Sequence, residues 1–211
     1  TITTSVFLFD ATSGRLVRRL PVEGWVEHLA FSPDGKFLAG MMVMGMVRVW
    51  EVATGLEIFH DDYIGFDNSS SGKVIWCTDR FLSVTENQLR LYKVHRGKVT
   101  FLASRRGKMD PKFSPDGNQI AVRQDGNVAI LDGNTLAKLF APKRGAAGNY
   151  VQWTQDGSEL SVHICDFKTE NCVVRRWGAG GQGNPVDSGC AFEFEQHRFG
   201  LEMLSAELLS S

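Results

Sequence analysis

The chain has 211 residues, 43% of them hydrophobic, which is enough to bury a sizeable core. Its 23 Lys and Arg against 24 Asp and Glu leave no long-range field for gathering nucleic acid or an anionic membrane, so any such binding must come from a local patch. The longest apolar stretch, Phe37–Val49, is broken by Gly40, Gly45 and Arg48 and is too short to span a bilayer, and residues 1–10 lack the pattern of a signal peptide.

Four cysteines (Cys77, Cys165, Cys172, Cys190) are too few for a disulfide-built secreted scaffold and fit a reducing cytoplasm. Cys165 and Cys172 can face each other across a hairpin, with free thiols the expected state. The chain opens without Met, directly on strand-like sequence, as a piece of a longer protein would.

In chain order, the first element is a strand at residues 5–10. Next comes Ala30–Ala39 (AFSPDGKFLA), which recurs at Lys112–Ala121 (KFSPDGNQIA) and, more weakly, at Gln152–Ser161 (QWTQDGSELS). The starts at 30, 112 and 152 imply a repeat of about forty residues. The missing copy is Lys73–Leu82 (KVIWCTDRFL), with a shortened turn. A second motif follows in step: Val6–Asp10, Val47–Glu51, Leu89–Lys93, Val128–Asp132 and Val173–Trp177. These runs are β-branched, aromatic or apolar, bounded by turn chemistry such as Pro33-Asp34-Gly35 and Thr54-Gly55.

The expected fold is therefore all-β, built of four-stranded antiparallel units that bury their faces against one another as propeller blades. The units fall at 15–50, 57–92, 99–131 and 138–177, with residues 5–10 as an additional outermost strand and Gly189–Glu195 as a candidate innermost one. Two inner strands of a shared blade are missing, so about four blades plus terminal strands form a partial ring. Its closure needs another chain or further blades. Residues 188–211 supply a C-terminal strand and either a short amphipathic helix, with Leu201, Leu204 and Leu208 on one stripe, or a frayed tail.

The Ser-Pro-Asp-Gly turns at 32–35 and 114–117, with Trp50-Glu51, Phe9-Asp10 and Leu131-Asp132 where a Trp-Asp dipeptide is usual, resemble the WD-repeat (WD40) propeller family over residues 5–177. On this resemblance residues 1–187 are one WD40-like propeller segment. More narrowly, Leu131–Leu136, Phe140–Pro142, Trp153–Gly157, Arg175–Trp177 and the glycines at 180, 181 and 183 look like bacterial propellers fused to signalling or effector domains, where the propeller senses or docks. Members often carry a Gly-His pair early in each blade. Here only His28 stands near that place, so the blades must rely on apolar packing.

No Gly-x-Ser-x-Gly elbow is present, and the five histidines (His28, His60, His95, His163, His197) are scattered. Asp61, Asp62 and Asp67 lack the glycine and closing Glu of a calcium loop, Ser69–Gly72 reads as a polar connection, and Gly178–Pro185 reads as a linker rather than a phosphate loop. No catalytic residue, metal or cofactor is expected.

One charge cluster stands out. Residues 90–112 hold eight basic side chains against the single acid Asp110. Arg96, Lys98, Arg105, Arg106 and Lys108 are the candidate partner-binding patch; the competing reading is a solvated edge whose charges discourage sheet-to-sheet pairing. The expected function is a non-catalytic scaffold for protein partners in the cytoplasm, with no membrane association. The alternatives are the propeller part of a hydrolase, and nucleic-acid binding through residues 90–112.

Overall fold

Strands carrying apolar side chains at successive positions, such as Phe37–Met42, cannot leave either face to water. In the computed structural model, which describes residues 3–62, 72–124, 127–141, 150–166, 171–178 and 184–189, these strands are arranged in consecutive antiparallel sheets. Sheet I is the hairpin of β1 (Thr3–Phe9) and β2 (Leu16–Glu23). Sheet II holds β3 (Val26–Phe31), β4 (Phe37–Met42), β5 (Val47–Glu51) and β6 (Glu57–Asp61). Sheet III holds β7 (Lys73–Cys77), β8 (Arg80–Val84), β9 (Gln88–His95) and β10 (Lys98–Arg106). Sheet IV holds β11 (Asp110–Phe113), β12 (Gln119–Gln124), β13 (Asn127–Asp132) and β14 (Lys138–Phe140). Sheet V holds β15 (Tyr150–Trp153), β16 (Glu159–Asp166), β17 (Asn171–Gly178) and β18 (Val186–Gly189). Among the described residues the only helical piece is a 3-10 turn at Val43–Gly45. The all-β, four-stranded reading holds, and so does the partial ring.

The sheets and the sequence units are staggered by one strand. Each unit delimited in the sequence begins with the last strand of one sheet, because the repeated motifs mark turns whereas sheet membership is set by backbone pairing. The Thr54-Gly55 turn folds β6 back onto β5, with Arg48 opposite His60 and Val49 opposite Phe59. By the same logic β1 matches β5 and β2 takes the outermost place in sheet I, so the strand expected to be outermost sits one position further in. Gly189 ends β18, an outer strand, instead of opening an inner one. Residues 190–195 and the stripe at 201–208 lie outside the described residues.

The repeated turn is a small hydrogen-bond device. The Ser32 hydroxyl donates to Asp34 Oδ1 at 2.7 Å and accepts from the Phe37 amide at 2.9 Å. Ser114 with Asp116 and Gln119 repeats it, and Thr154 with Asp156 and Glu159 repeats it again. The hydrogen bond from the Thr154 hydroxyl, with that from the Ser158 amide, holds the Asp156 carboxyl down to about 2. Gly35, Gly117 and Gly157 close these turns at φ of 69°, 72° and 73°, where a side chain would be strained. The shortened copy is a two-residue turn, Thr78-Asp79, between Cys77 and Arg80.

The core is a series of seams between neighbouring sheets, each strand sending alternate side chains to opposite neighbours. Ala39 and Met41 of β4 face sheet III and meet Phe81, Tyr92 and Val94, while Leu38 and Met42 face sheet I with Trp50, Leu8 and Leu20. Leu82 and Val84 meet Ile120 and Val122 of sheet IV, and Ala121 and Ile130 meet Trp153, Leu160 and Trp177 of sheet V. At roughly 1.5–3 kcal/mol for each large apolar side chain, these seams outweigh the polar ties that accompany them, each worth about 1 kcal/mol net.

The polar ties set registration. Two indoles make the same reach between first strands: Trp76 Nε1 donates to the Ala30 carbonyl at 2.8 Å, and Trp153 Nε1 donates to the Lys112 carbonyl at 3.1 Å. The buried Arg80 guanidinium donates to the Gly133 carbonyl at 2.9 Å and to Asn134 Oδ1 at 2.7 Å, joining sheets III and IV. The Tyr92 hydroxyl donates to Asp61 at 2.8 Å across the II–III seam, and burial pushes its pKa up. Trp76→Phe and Trp153→Phe should each lower stability in urea by about 1–2 kcal/mol with an unchanged m-value. Trp25→Phe, at an exposed position, should cost less than about 0.5 kcal/mol in the same titration.

Candidate interaction surface

Because every sheet is an up-and-down meander, all its connections fall at one of two ends. The turn end carries the Ser-Pro-Asp-Gly turns together with Thr54-Gly55, Thr78-Asp79 and Arg96-Gly97. The loop end carries the links between sheets at 24–25 and 107–109, the turns at 43–45 and 85–87, and the ends of β6, β12 and β14. Residues 63–71, 125–126 and 142–149, which include Asp67 and Ser69–Ser71, lie outside the described residues.

At the loop end of sheet II two large apolar side chains face solvent. Trp25 is 62% exposed and Met44 is 45% exposed, and the Val43 amide donates to the Trp25 carbonyl at 3.0 Å, so the two loops are fixed to each other. Met44 holds φ of 70°, an uncommon left-handed conformation for a residue with a side chain, which breaks the 3-10 turn at the tip of the β4–β5 connection. Nothing in the repeat pattern singles out Trp25, because it sits in a link between sheets.

Sheet I covers only the outer part of sheet II. Phe31 and Leu29 of β3 remain exposed, and a cleft of about 480 Å³ runs between β1 (Thr4 to Phe7) and Trp25 to Leu29. Among the described residues, β1 is paired along one edge alone, that facing β2.

The basic residues singled out in the sequence do not form one patch. Arg96 and Lys98 lie at the turn end, where Arg96 and Gly97, at φ of 50° and 74°, make the β9–β10 turn. Arg105 and Arg106 are the last two residues of the nine-residue β10 and Lys108 follows it, all at the loop end; at about 3.3 Å per residue the strand sets the two groups about 25 Å apart. Others of the eight have local work. Arg90 pairs with Asp61 at 2.7 Å, Lys93 with Asp79 at 3.2 Å, and the Lys112 ammonium stands 5.7 Å from the Tyr150 ring centre. Along β10 the register shifts between Phe101 and Ala103, a bulge that, with the flanking cations, blunts this exposed edge.

Cys77 is a half-buried free thiol whose pKa is pushed up by burial. The backbone register places Cys165 directly opposite Cys172. Among the described residues no group of three or more His, Cys, Asp or Glu is placed to hold a metal ion, and no helix is long and apolar enough to cross a membrane. His28 reaches across the II–III seam, where the Val74 amide donates to its Nδ1 at 3.3 Å. Burial first, and then the Lys73 charge, hold its pKa below the usual histidine value.

No protein-family profile matches the chain. In sequence it is similar to WD repeat-containing protein 1 of Gallus gallus, 27% identical over 82% of this chain and 31% of the relative, and to its Bos taurus counterpart, 26% identical over the same shares. The chain thus spans about a third of the length of these relatives. In structure it is similar to the β-propeller domain of Myceliophteria thermophila Cps50 (Swd1), with TM-score 0.57 and 15% identity over 83% of this chain and 59% of that one. A chain of the mitotic checkpoint complex gives TM-score 0.63 at 18% identity over 87% and 57%, and the C-terminal WD40 domain of Sif2 gives 0.60 at 17% identity over 88% and 52%.

Since His28 titrates below the ordinary value near 6.5, the unfolded chain takes up this proton first as pH falls. Its contribution is at full strength above pH about 6.5 and is lost below it. Stability in urea should drop between pH 7 and pH 5, and His28→Asn, which keeps an acceptor for the Val74 amide, should make that drop shallower.

Proposed function

We propose that this chain, a run of blades of the WD40 β-propeller family, is a non-catalytic docking platform that holds protein partners at its loop end, within a larger protein or complex in the cytoplasm. The observation that carries the reading is the exposed pair Trp25 and Met44 on a backbone fixed by the Val43–Trp25 hydrogen bond. A rigidly mounted, solvent-facing Trp is the side chain most often found at the energetic centre of protein interfaces. The seams beneath supply the rigidity: partners meet loops carried on sheets packed against their neighbours.

Two further features support the setting in a larger assembly. The apolar face of β3 and the unpaired edge of β1 have the geometry to take two additional inner strands, which would complete sheet I and carry the ring onward. The structural relatives include a chain from a named protein complex, and the chain spans only part of its sequence relatives. The free thiol at Cys77 is compatible with a reducing compartment.

The test is site-specific photo-crosslinking from position 44 at the loop end and from position 54 at the turn end in cells of the source organism, followed by reconstitution with the purified adduct protein. The expected outcome is one protein captured from position 44, a stoichiometric complex on size-exclusion chromatography, and at least a tenfold weaker complex with Trp25→Ala. Capture from position 54 alone, a complex indifferent to Trp25, or turnover in a hydrolase screen that is lost on substituting first-strand residues would overturn the reading.

A further inference from the structure

We propose that the cleft between sheets III and IV at the loop end binds an acidic peptide segment of a protein partner. The inference rests on the docking reading above and names the chemistry that one part of the surface recognises. The linker from β10 to β11 crosses this end, and the Gly107 amide donates to the Asn87 carbonyl at 2.8 Å, tying it to the β8–β9 turn. Beside it lies a cleft of about 260 Å³, with Val84 and the buried Met109 on its apolar side and Lys73, Lys108, Thr85 and Glu86 on its polar side. Arg105 and Arg106 end β10 at the same end of the sheet, so the cations follow the linker from the outer strand inward to Lys73.

The charges do not cancel. Lys73 is held by Asp110, Nζ to Oδ1 at 2.9 Å, and the Glu27 carboxylate accepts from the Gly72 amide at 3.0 Å, which leaves Arg105, Arg106 and Lys108 facing Glu86 among the described residues. The other members of the sequence cluster are engaged elsewhere or stand at the opposite end. A peptide carboxylate gains charge-assisted hydrogen bonds from guanidinium and ammonium donors, while a neighbouring aliphatic side chain is covered by Val84 and Met109. The volume suits one or two side chains.

Nucleic acid fits the same region less well. Single-stranded RNA is held by stacking on aromatic rings as well as by backbone charge, and among the described residues no aromatic side chain lines this cleft. The three cations flank a pocket with an aliphatic wall and do not track along an extended groove, and the chain's net charge of -1 adds no attraction from afar.

The experiment is fluorescence anisotropy with the whole chain and a labelled dodecapeptide of alternating Glu, Asp and Leu, beside the same peptide with Gln and Asn in place of the acids and a labelled twelve-nucleotide oligouridine. The expected result is saturable binding of the acidic peptide that weakens with added salt. It should be at least tenfold weaker in Arg106→Glu/Lys108→Glu and within twofold of the parent in Arg96→Glu/Lys98→Glu, with both variants giving the parent circular dichroism spectrum. Absent binding, equal binding of the neutral peptide, tighter binding of the oligouridine, or equal losses in the two variants would overturn it. If the peptide fails while the Trp25-dependent complex stands, this inference alone falls; if the complex fails as well, the docking reading falls with it.

Discussion

A sheet that is apolar on both faces cannot exist alone in water, and sheets II, III and IV of this chain are of that kind. Met41 and Leu38 are neighbours on one strand, both essentially inaccessible, yet they belong to different seams. Each sheet is therefore stable only between two others, and stability is a chain of nearest-neighbour terms more than a sum of independent blades. The placement of exposed residues follows from that dependence. What faces solvent freely is confined to sheet edges, the two ends, and the face that a neighbouring sheet leaves uncovered.

The repeat, the strands and the radial stacking could be read from the sequence because they rest on local chemistry. A Ser or Thr, then Asp and Gly, fixes a turn through hydrogen bonds spanning no more than five residues, so it leaves the same trace at 32–35, 114–117 and 154–157. Sheet boundaries left no such trace. They fall in the links at 24–25, 62–72, 107–109 and 141–149, which share no residue pattern, and whether an outer strand joins the sheet before or after it is decided by pairing such as Val49 with Phe59. The stagger of one strand between unit and sheet has that origin.

The same contrast explains the site. A run of eight cations within residues 90–112 reads as one patch, but antiparallel strands carry successive residues from one end of the sheet to the other. Arg96 and Arg106 are thereby separated by the length of β10. The partners that engage Arg90 and Lys93, namely Asp61 and Asp79, come from another sheet and from the opposite turn, contacts that the chain order does not announce. Trp25 was invisible for a different reason: exposure is a property of the assembled sheets, and an aromatic residue beside a strand reads as core until the covering strands are counted.

Two of the sheet edges, β10 and β1, show what the molecule protects and what it leaves open. β10 is long and outward-facing, yet it is bulged at Leu102 and flanked by Lys98, Arg105 and Arg106, so another strand gains little by pairing with it. The inner edge of β1 has none of these devices between Thr3 and Leu8: no charge, no proline and an unbroken register with β2. An edge kept so receptive, beside an apolar cleft and the uncovered Phe31, has the character of a surface meant to be paired. The chain thus separates two kinds of contact by physical means. Backbone pairing and apolar burial are offered at the open edge, with Trp25 at the rim of its cleft, whereas the charged side chains of the loop end are mounted on links outside the repeat pattern. The links can change their exposed side chains without disturbing the seams that hold them in place, because the seams are built mainly from strand residues.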